Sequence, residues 1–374
     1  MNGTMACRNL RQALLLGAAL VVSGAASADD AAKILAALKA PAGFKVTVYA
    51  AGIQGARSMA LGERGTLFVG ARPQGKVYAV RELADGRRDV VTIAQGLNNP
   101  NGVAVHGGSL YVAEIHRILR YDGIEGRLDS PPPPVVVRGD LPTDRHHGWR
   151  YIAFGPDGKL YIPIGAPCNV CDQKGYAAIT RMNADGTGRE VFATGVRNSV
   201  GMTWHPVTGE LWFTDNGRDY LGEDAPPDEL NHAPKAGLNF GFPFCHAGEI
   251  KDPEFGNLGD CGSSTPPARK LGAHVAALGV KFYTGAQFPE SYRNQIFIAE
   301  HGSWNRKERA GYRISLVRLQ DNQVTSYEPF ITGWNQPDGV LGRPVDLLVL
   351  PDGSMLVSDD QAGLIYQITY SGAG

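Results

Sequence analysis

The chain has 374 residues, with 36 Lys and Arg against 37 Asp and Glu and a formal net charge of −1. So even a balance, with no basic block, argues against a nucleic-acid partner, which needs a dense cationic surface to displace counterions. The 48 glycines and 24 prolines fit many short strands joined by tight turns and exclude a mainly helical protein.

The N-terminus has the form of an export signal. Arg8 and Arg11 precede an apolar run over 13–22, and the small residues Ala26, Ser27 and Ala28 follow, so cleavage is expected after Ala28. The run is too short for a bilayer and no later stretch reaches about 20 apolar residues. No membrane span is therefore expected. Residues 29–374 are read as one domain, periplasmic or secreted. An even set of cysteines normally pairs in such an oxidising compartment. With Cys7 removed, Cys168 is expected to pair with Cys171, and Cys245 with Cys261; a haem attachment would need His in place of Asp172.

A first strand over 45–49 is followed by six copies of one pattern: apolar strand, turn, second apolar strand, third strand. The first copy runs 58–61, turn 62–65, 66–70 and 76–80; the others open at Gly102, Tyr151, Gly201, Gly279 and Asp346. Ordered repeats of about 40 to 60 residues, each a small antiparallel sheet, predict an all-β fold, a six-bladed β-propeller. The strand over 45–49 is expected to complete the last blade and close the ring. Insertions over 215–235 and 243–270 widen the fourth-to-fifth connection, and long loops on a rigid scaffold are where function usually sits.

The innermost strand of each blade starts at one face of the channel, so residues at those starts form a ring. Here the ring holds Arg57, Asn101, the segment 146–150, Arg197, Asn198, His274, Arg343 and Asp346. Four arginines from separate blades suit a small ligand with several carboxylates or phosphates. Any one of them could equally brace neighbouring blades through ion pairs. His146 and His147 are adjacent, and strand alternation would turn only one toward the funnel, where a neutral imidazole suits general-base chemistry. No HxxxH pair points to zinc or iron. Calcium needs only oxygen ligands, and the loop 214–219 can offer backbone carbonyls. The absence of a glycine-rich phosphate loop and of a GxSxG elbow disfavours nucleotide enzymes and serine hydrolases.

The segments RHHGWRYIAFGPDGKLYIPIG, GVRNSVGMTWHPVTGELWFTDNGRD, HGSWNRKERAGY and GRPVDLLVLPDGSMLVSDD resemble the glucose/sorbosone dehydrogenase family, its sorbosone-dehydrogenase-like branch above all. The likeness runs from Pro41 to Tyr370. It implies a soluble six-bladed propeller that binds pyrroloquinoline quinone (PQQ) and calcium and oxidises an aldose or sugar aldehyde. On the family's pattern His146, four residues before Arg150, is the base, and Arg150, Arg197, Asn198 and Arg343 bind the cofactor. Gly217 and Arg218 would give two successive carbonyls to calcium, although Arg218 stands where proline is common. Val345 replaces a second cofactor arginine, and Arg306 is the candidate for a covering lysine that has no counterpart. The implied reaction has His146 take the hydroxyl proton while hydride passes to the quinone, with Arg197 stabilising charge on the quinone oxygen. With no CxxCH fused to the chain, electrons would pass to a separate acceptor, a cytochrome or a quinone. Two other readings remain: a calcium-dependent lactone hydrolase using Asn101 and Asn198, and a binding propeller without chemistry.

Overall fold

The computed structural model describes residues 28–372. The expected signal segment therefore lies outside the described residues, except for Ala28, which opens the helix Ala28–Ala37. Asp29 and Asp30 in its first turn complement the positive end of the helix dipole. Ile34 is its buried residue and packs with Phe330 and Trp334. None of the described helices is long and apolar enough to cross a membrane.

Six sheets of four or five strands, antiparallel except for one short parallel pairing at the outer edge of the third blade, form the ring, confirming the six-bladed propeller. Their inner strands are Ala56–Leu61, Gly102–His106, Ala153–Phe154, Gly201–Trp204, Ala277–Phe282 and Pro344–Val349. The first of these packs against both the second and the last, so the ring closes on itself. The second strands, such as Leu67–Ala71, Ile296–Glu300 and Met355–Asp359, are buried along their whole length. They are covered on both faces by neighbouring blades, which is why they read as continuous apolar runs without alternation. The core thus lies between blades: Phe68 and Val77 of the first blade meet Val112 and Leu119 of the second. Each such side chain contributes about 1.5–3 kcal/mol on burial.

The inner-to-outer hairpins turn on glycines with left-handed φ, 86° at Gly65, 70° at Gly158 and 83° at Gly353, a conformation that other L-residues adopt only under strain. That requirement gives the repeat its spacing. Each blade also has a fourth, outer strand that the three-strand repeat omitted, for example Val135–Arg138 and Gln323–Ile331. These are half exposed, so they lack the apolar run that marks the inner strands. In the last blade the fourth strand is Phe44–Ala51, which pairs antiparallel with Leu364–Tyr370, as expected from the segment 45–49. Both expected disulfides form, Cys168–Cys171 and Cys245–Cys261.

First and second strands are antiparallel, with Ala56 opposite Ala71, Ala277 opposite Glu300 and Pro344 opposite Asp359. The residue entering the first strand and the residue leaving the second therefore emerge at the same face. In the first, fifth and sixth blades both strands thus deliver a side chain to that end of the channel.

Candidate functional site

A cavity of about 370 Å³ opens at that face. Inner-strand starts contribute Arg57, Arg197, Asn198 and Arg343, and second-strand exits contribute Arg72, Asn216 and His301. Beneath them Val200, Leu278 and Val345, one from each of three blades, pack with Trp149 into an apolar floor. Val345 serves this floor and presents no charge.

On the side of the third and fourth blades, Asp215 accepts hydrogen bonds from the backbone N of Arg197 (2.8 Å) and of Asn198 (2.6 Å) and so fixes the turn that presents both. All five donors of the Arg197 guanidinium have acceptors. Nε donates to the Asn169 carbonyl at 2.8 Å, and Nη1 to the carbonyls of Asn216 (3.1 Å) and Gly217 (2.8 Å). Nη2 donates to Asn169 Oδ1 (2.9 Å) and Asp219 Oδ2 (3.3 Å). The Asn198 amide lines the cavity without a side-chain hydrogen bond among the described residues.

Both histidines line this cavity, contrary to the alternation expected of a strand. The segment is a turn in which His147 has a φ of 47°, so the two rings lie 4.0 Å apart on one side. His146 is exposed, whereas His147 is buried with its Nδ1 2.9 Å from the Ala166 carbonyl. A carbonyl can only accept, so Nδ1 carries the proton and Nε2 is left as the acceptor. Burial, reinforced by Arg197 and His146, holds the His147 pKa well below the usual histidine range. Burial and Arg197 also lower His146.

The side of the fifth, sixth and first blades is built around Asp360. Its carboxylate joins Arg57 Nη1 (2.9 Å) to His301 Nε2 (2.8 Å), and these two partners outweigh burial to hold it well below the usual carboxylate range. Burial lowers His301 to about 4, with Asp360 opposing. Arg343 donates to the carbonyls of His301 (3.1 Å) and Gly302 (2.5 Å). Arg72 is different: among the described residues its guanidinium has no hydrogen bond or ion pair, and it lies over the Trp149 ring at 4.3 Å. Burial and then the neighbouring Arg57 pull its pKa down to about 9, with Asp360 opposing and Arg343 adding to the effect. A guanidinium held next to two others without a carboxylate of its own is a standing attraction for an anion.

Two side chains predicted from sequence, those of Arg150 and Arg306, lie elsewhere. Arg150 is fully buried, and donates to the carbonyls of Ile115, His147 and Pro142 at 3.0–3.3 Å; it braces blades and does not reach the cavity. Arg306 holds the Glu223 carbonyl and Asp224 (3.1 Å) outside the cavity, because its loop folds back over that connection. The Arg218 side chain turns into the long insertion to pair with Asp252 and Glu254. Gly217 does line the cavity, but the carbonyl that joins it in facing a cationic group is that of Asn216. The described residues hold no cluster of three or more His, Cys, Asp or Glu suited to a metal, so a cation here would rest on such carbonyls and on single carboxylates such as Asp219. Asn101 is committed as well: its Oδ1 accepts from Arg57 Nε at 2.9 Å and its Nδ2 donates to the Arg150 carbonyl at 3.1 Å, which takes away a ligand of the lactonase reading.

Arg72 and His301 were not among the sequence candidates although each directly follows a second strand, at the face already identified, as does Asn216 of the expected calcium loop 214–219. Asn169 and Asn305 come from irregular loops and carry no such signal.

The glucose/sorbosone dehydrogenase family model matches residues 136–303, and a TrAA12-like model matches 248–371. A Borreliella burgdorferi protein named only as uncharacterized is 34% identical over 356 residues, 91% of this chain and 93% of its own. A pyrroloquinoline quinone-dependent sugar dehydrogenase of Hypocrea jecorina is 23% identical over 335 residues, 74% of each chain. The fold is shared with the calcium structure of a Trichoderma reesei carbohydrate-active enzyme of family AA12, at a TM-score of 0.77 and 22% identity over 89% of this chain and 97% of that one. It is also shared with the PQQ domain of Coprinopsis cinerea pyranose dehydrogenase in its holo form, at 0.75 and 19% over the same shares. Six closed blades, an arginine-lined mouth and these matches agree on one resemblance: over residues 136–303 the chain matches the glucose/sorbosone dehydrogenase family.

Proposed function

We propose that this protein is a PQQ- and calcium-dependent dehydrogenase acting on aldose sugars or sugar aldehydes of the sorbosone kind, with electrons passed to a separate acceptor. The observation that carries the reading is Arg72, a cavity arginine without an anionic partner beside Arg57 and Arg343. A flat tricarboxylate meets that need, and the Hypocrea jecorina and Coprinopsis cinerea relatives are named for this quinone. Asn305 Oδ1, buried in the cavity wall without a partner among the described residues, is an acceptor and suits a hydroxyl donor or a cation, not a carboxylate. Arg57, Arg72 and Arg343 would hold the carboxylates, with Trp149 as an aromatic surface beside them. Asn216 and Gly217 would offer their carbonyls to calcium, with Asp219 next to them, in place of the expected Gly217 and Arg218.

When bound, the quinone supplies a hydride acceptor and calcium polarises its carbonyl. The chain's own part is proton transfer and positioning. His147, neutral and with Nε2 unprotonated, is the base that takes the substrate hydroxyl proton, in place of the expected His146; His146, more exposed on the same side, is left to contact substrate. The five bonds of Arg197 keep its charge at one fixed point of the wall, where preorganised charge contributes most. The two disulfides and the apolar N-terminal run support a periplasmic or secreted location.

The test is reconstitution with PQQ and calcium, followed by dye reduction across aldoses and aldehydes. Quinone uptake with sugar-dependent turnover is expected. Uptake without turnover across that panel would remove the enzymatic reading, and lactone hydrolysis in the absence of quinone would replace it.

A further inference from the structure

The 13-residue connection 165–177 between the second and third strands of the third blade has no regular structure, yet one part of it is closely tied to the cavity. Cys168 and Cys171 close a four-residue turn by their disulfide, and Asn169 sits inside it. The Asn169 carbonyl accepts from Arg197 Nε at 2.8 Å, and its Oδ1 accepts from Arg197 Nη2 at 2.9 Å. The same Oδ1 accepts from the Asp219 backbone N at 2.9 Å, and Nδ2 donates to the Asp219 carbonyl at 3.1 Å. One residue thus grips a whole edge of the guanidinium and the backbone of the loop that carries its counter-charge. The Cys168 backbone carbonyl also faces the His146 ring.

A flexible connection would present such a residue only part of the time, because ordering it has a backbone entropy cost. A cross-link four residues wide removes much of that freedom before Arg197 is engaged. We infer that Asn169, held in place by the Cys168–Cys171 disulfide, is a positioning residue that sets the location of Arg197 in the reaction. The statement about the reaction rests on the function proposed above; the statement about Arg197 does not.

The experiment reads both separately. In protein labelled with ¹⁵N-arginine, the Arg197 Nε–H signal, assigned through Arg197→Lys, is expected to exchange slowly with solvent. In Asn169→Ala and in Cys168→Ser/Cys171→Ser its exchange accelerates roughly tenfold as the opening free energy falls. In the reconstituted enzyme Asn169→Ala lowers kcat about 10²-fold, the scale of a misplaced catalytic group, while KM for the sugar stays within about threefold. Asn169→Asp keeps the acceptor for Nη2 and recovers most of the loss. Unchanged exchange in both folded variants overturns the positioning role whatever the activity. Accelerated exchange with an unchanged kcat overturns its part in the reaction. If the wild-type enzyme turns over no sugar, the functional proposal fails, and the exchange rates still decide whether Asn169 holds Arg197.

Discussion

The two sides of the cavity treat the same side chain in opposite ways. Arg197, on the side of the third and fourth blades, has every donor matched within the protein. Arg72, across the mouth, has none matched among the described residues and lies on a tryptophan. A saturated guanidinium is a fixed charge whose value lies in where it is. An unsaturated one beside Arg57 and Arg343 raises the local potential until an anion arrives; burial first, and then Arg57, lower the pKa of Arg72 to about 9. One wall therefore positions, and the other captures.

The largest effect should come from the positioning side. His147→Ala is expected to lower kcat about 10²- to 10⁴-fold, the usual range for a general base, against less than about tenfold for His146→Ala. The reverse ranking would return the base to His146. Because the His147 pKa is lowered, the imidazole stays neutral as pH falls through the ordinary histidine value. The limb of the kcat profile reporting it should lie well to the acid side of that value.

The capturing side should respond in affinity. Arg72→Ala is expected to weaken quinone binding roughly 10- to 100-fold, the loss of one or two charge-assisted hydrogen bonds, measured by absorbance titration. Arg150→Ala sharpens the contrast, since it should leave that affinity intact while lowering Tm through three unpaired buried carbonyls. Equal losses of affinity in the two variants would erase the distinction between capture and bracing. Arg306→Ala should change quinone affinity by less than about twofold, as a side chain outside the cavity.

The smallest effect concerns stability against pH. Burial raises the Glu229 carboxyl to about 7 and that of Asp359 to about 6. Between their unfolded values and these, the native state binds more protons than the unfolded one, so stability falls as pH rises from about 4 to 7. Asp252 works the other way: burial opposes, but His246 and Arg218 hold it at about 2, so its contribution is lost only in stronger acid. Thermal melts in the apo state should therefore peak in mildly acidic buffer, and a maximum above pH 8 would contradict the burial of these two groups.

The blades were legible because a strand covered on both faces needs an unbroken apolar run, and a left-handed turn needs glycine at a set spacing. The outer strands were not, because half-exposed edges such as Val135–Arg138 lack that constraint. At the mouth, the starts of the inner strands were read correctly for Arg57, Arg197 and Arg343. Arg72 and His301 reach the same face from the exits of the second strands, which the strand starts alone do not mark. Sequence could not separate Arg150 from the others, since its partners are backbone carbonyls, which every residue carries alike. The His pair was misjudged for a related reason: alternation holds in a strand, and His147 sits in a turn.

The seam of the ring has one more consequence. The strand Phe44–Ala51 from the start of the chain zips onto Leu364–Tyr370 from its end, and the Arg57–Asp360 pair spans the same junction. The wall around Arg57 and Asp360 is thus joined from two segments about 300 residues apart in sequence. On the function proposed above, a chain lacking the last blade should fold without the clasp and fail to retain the quinone.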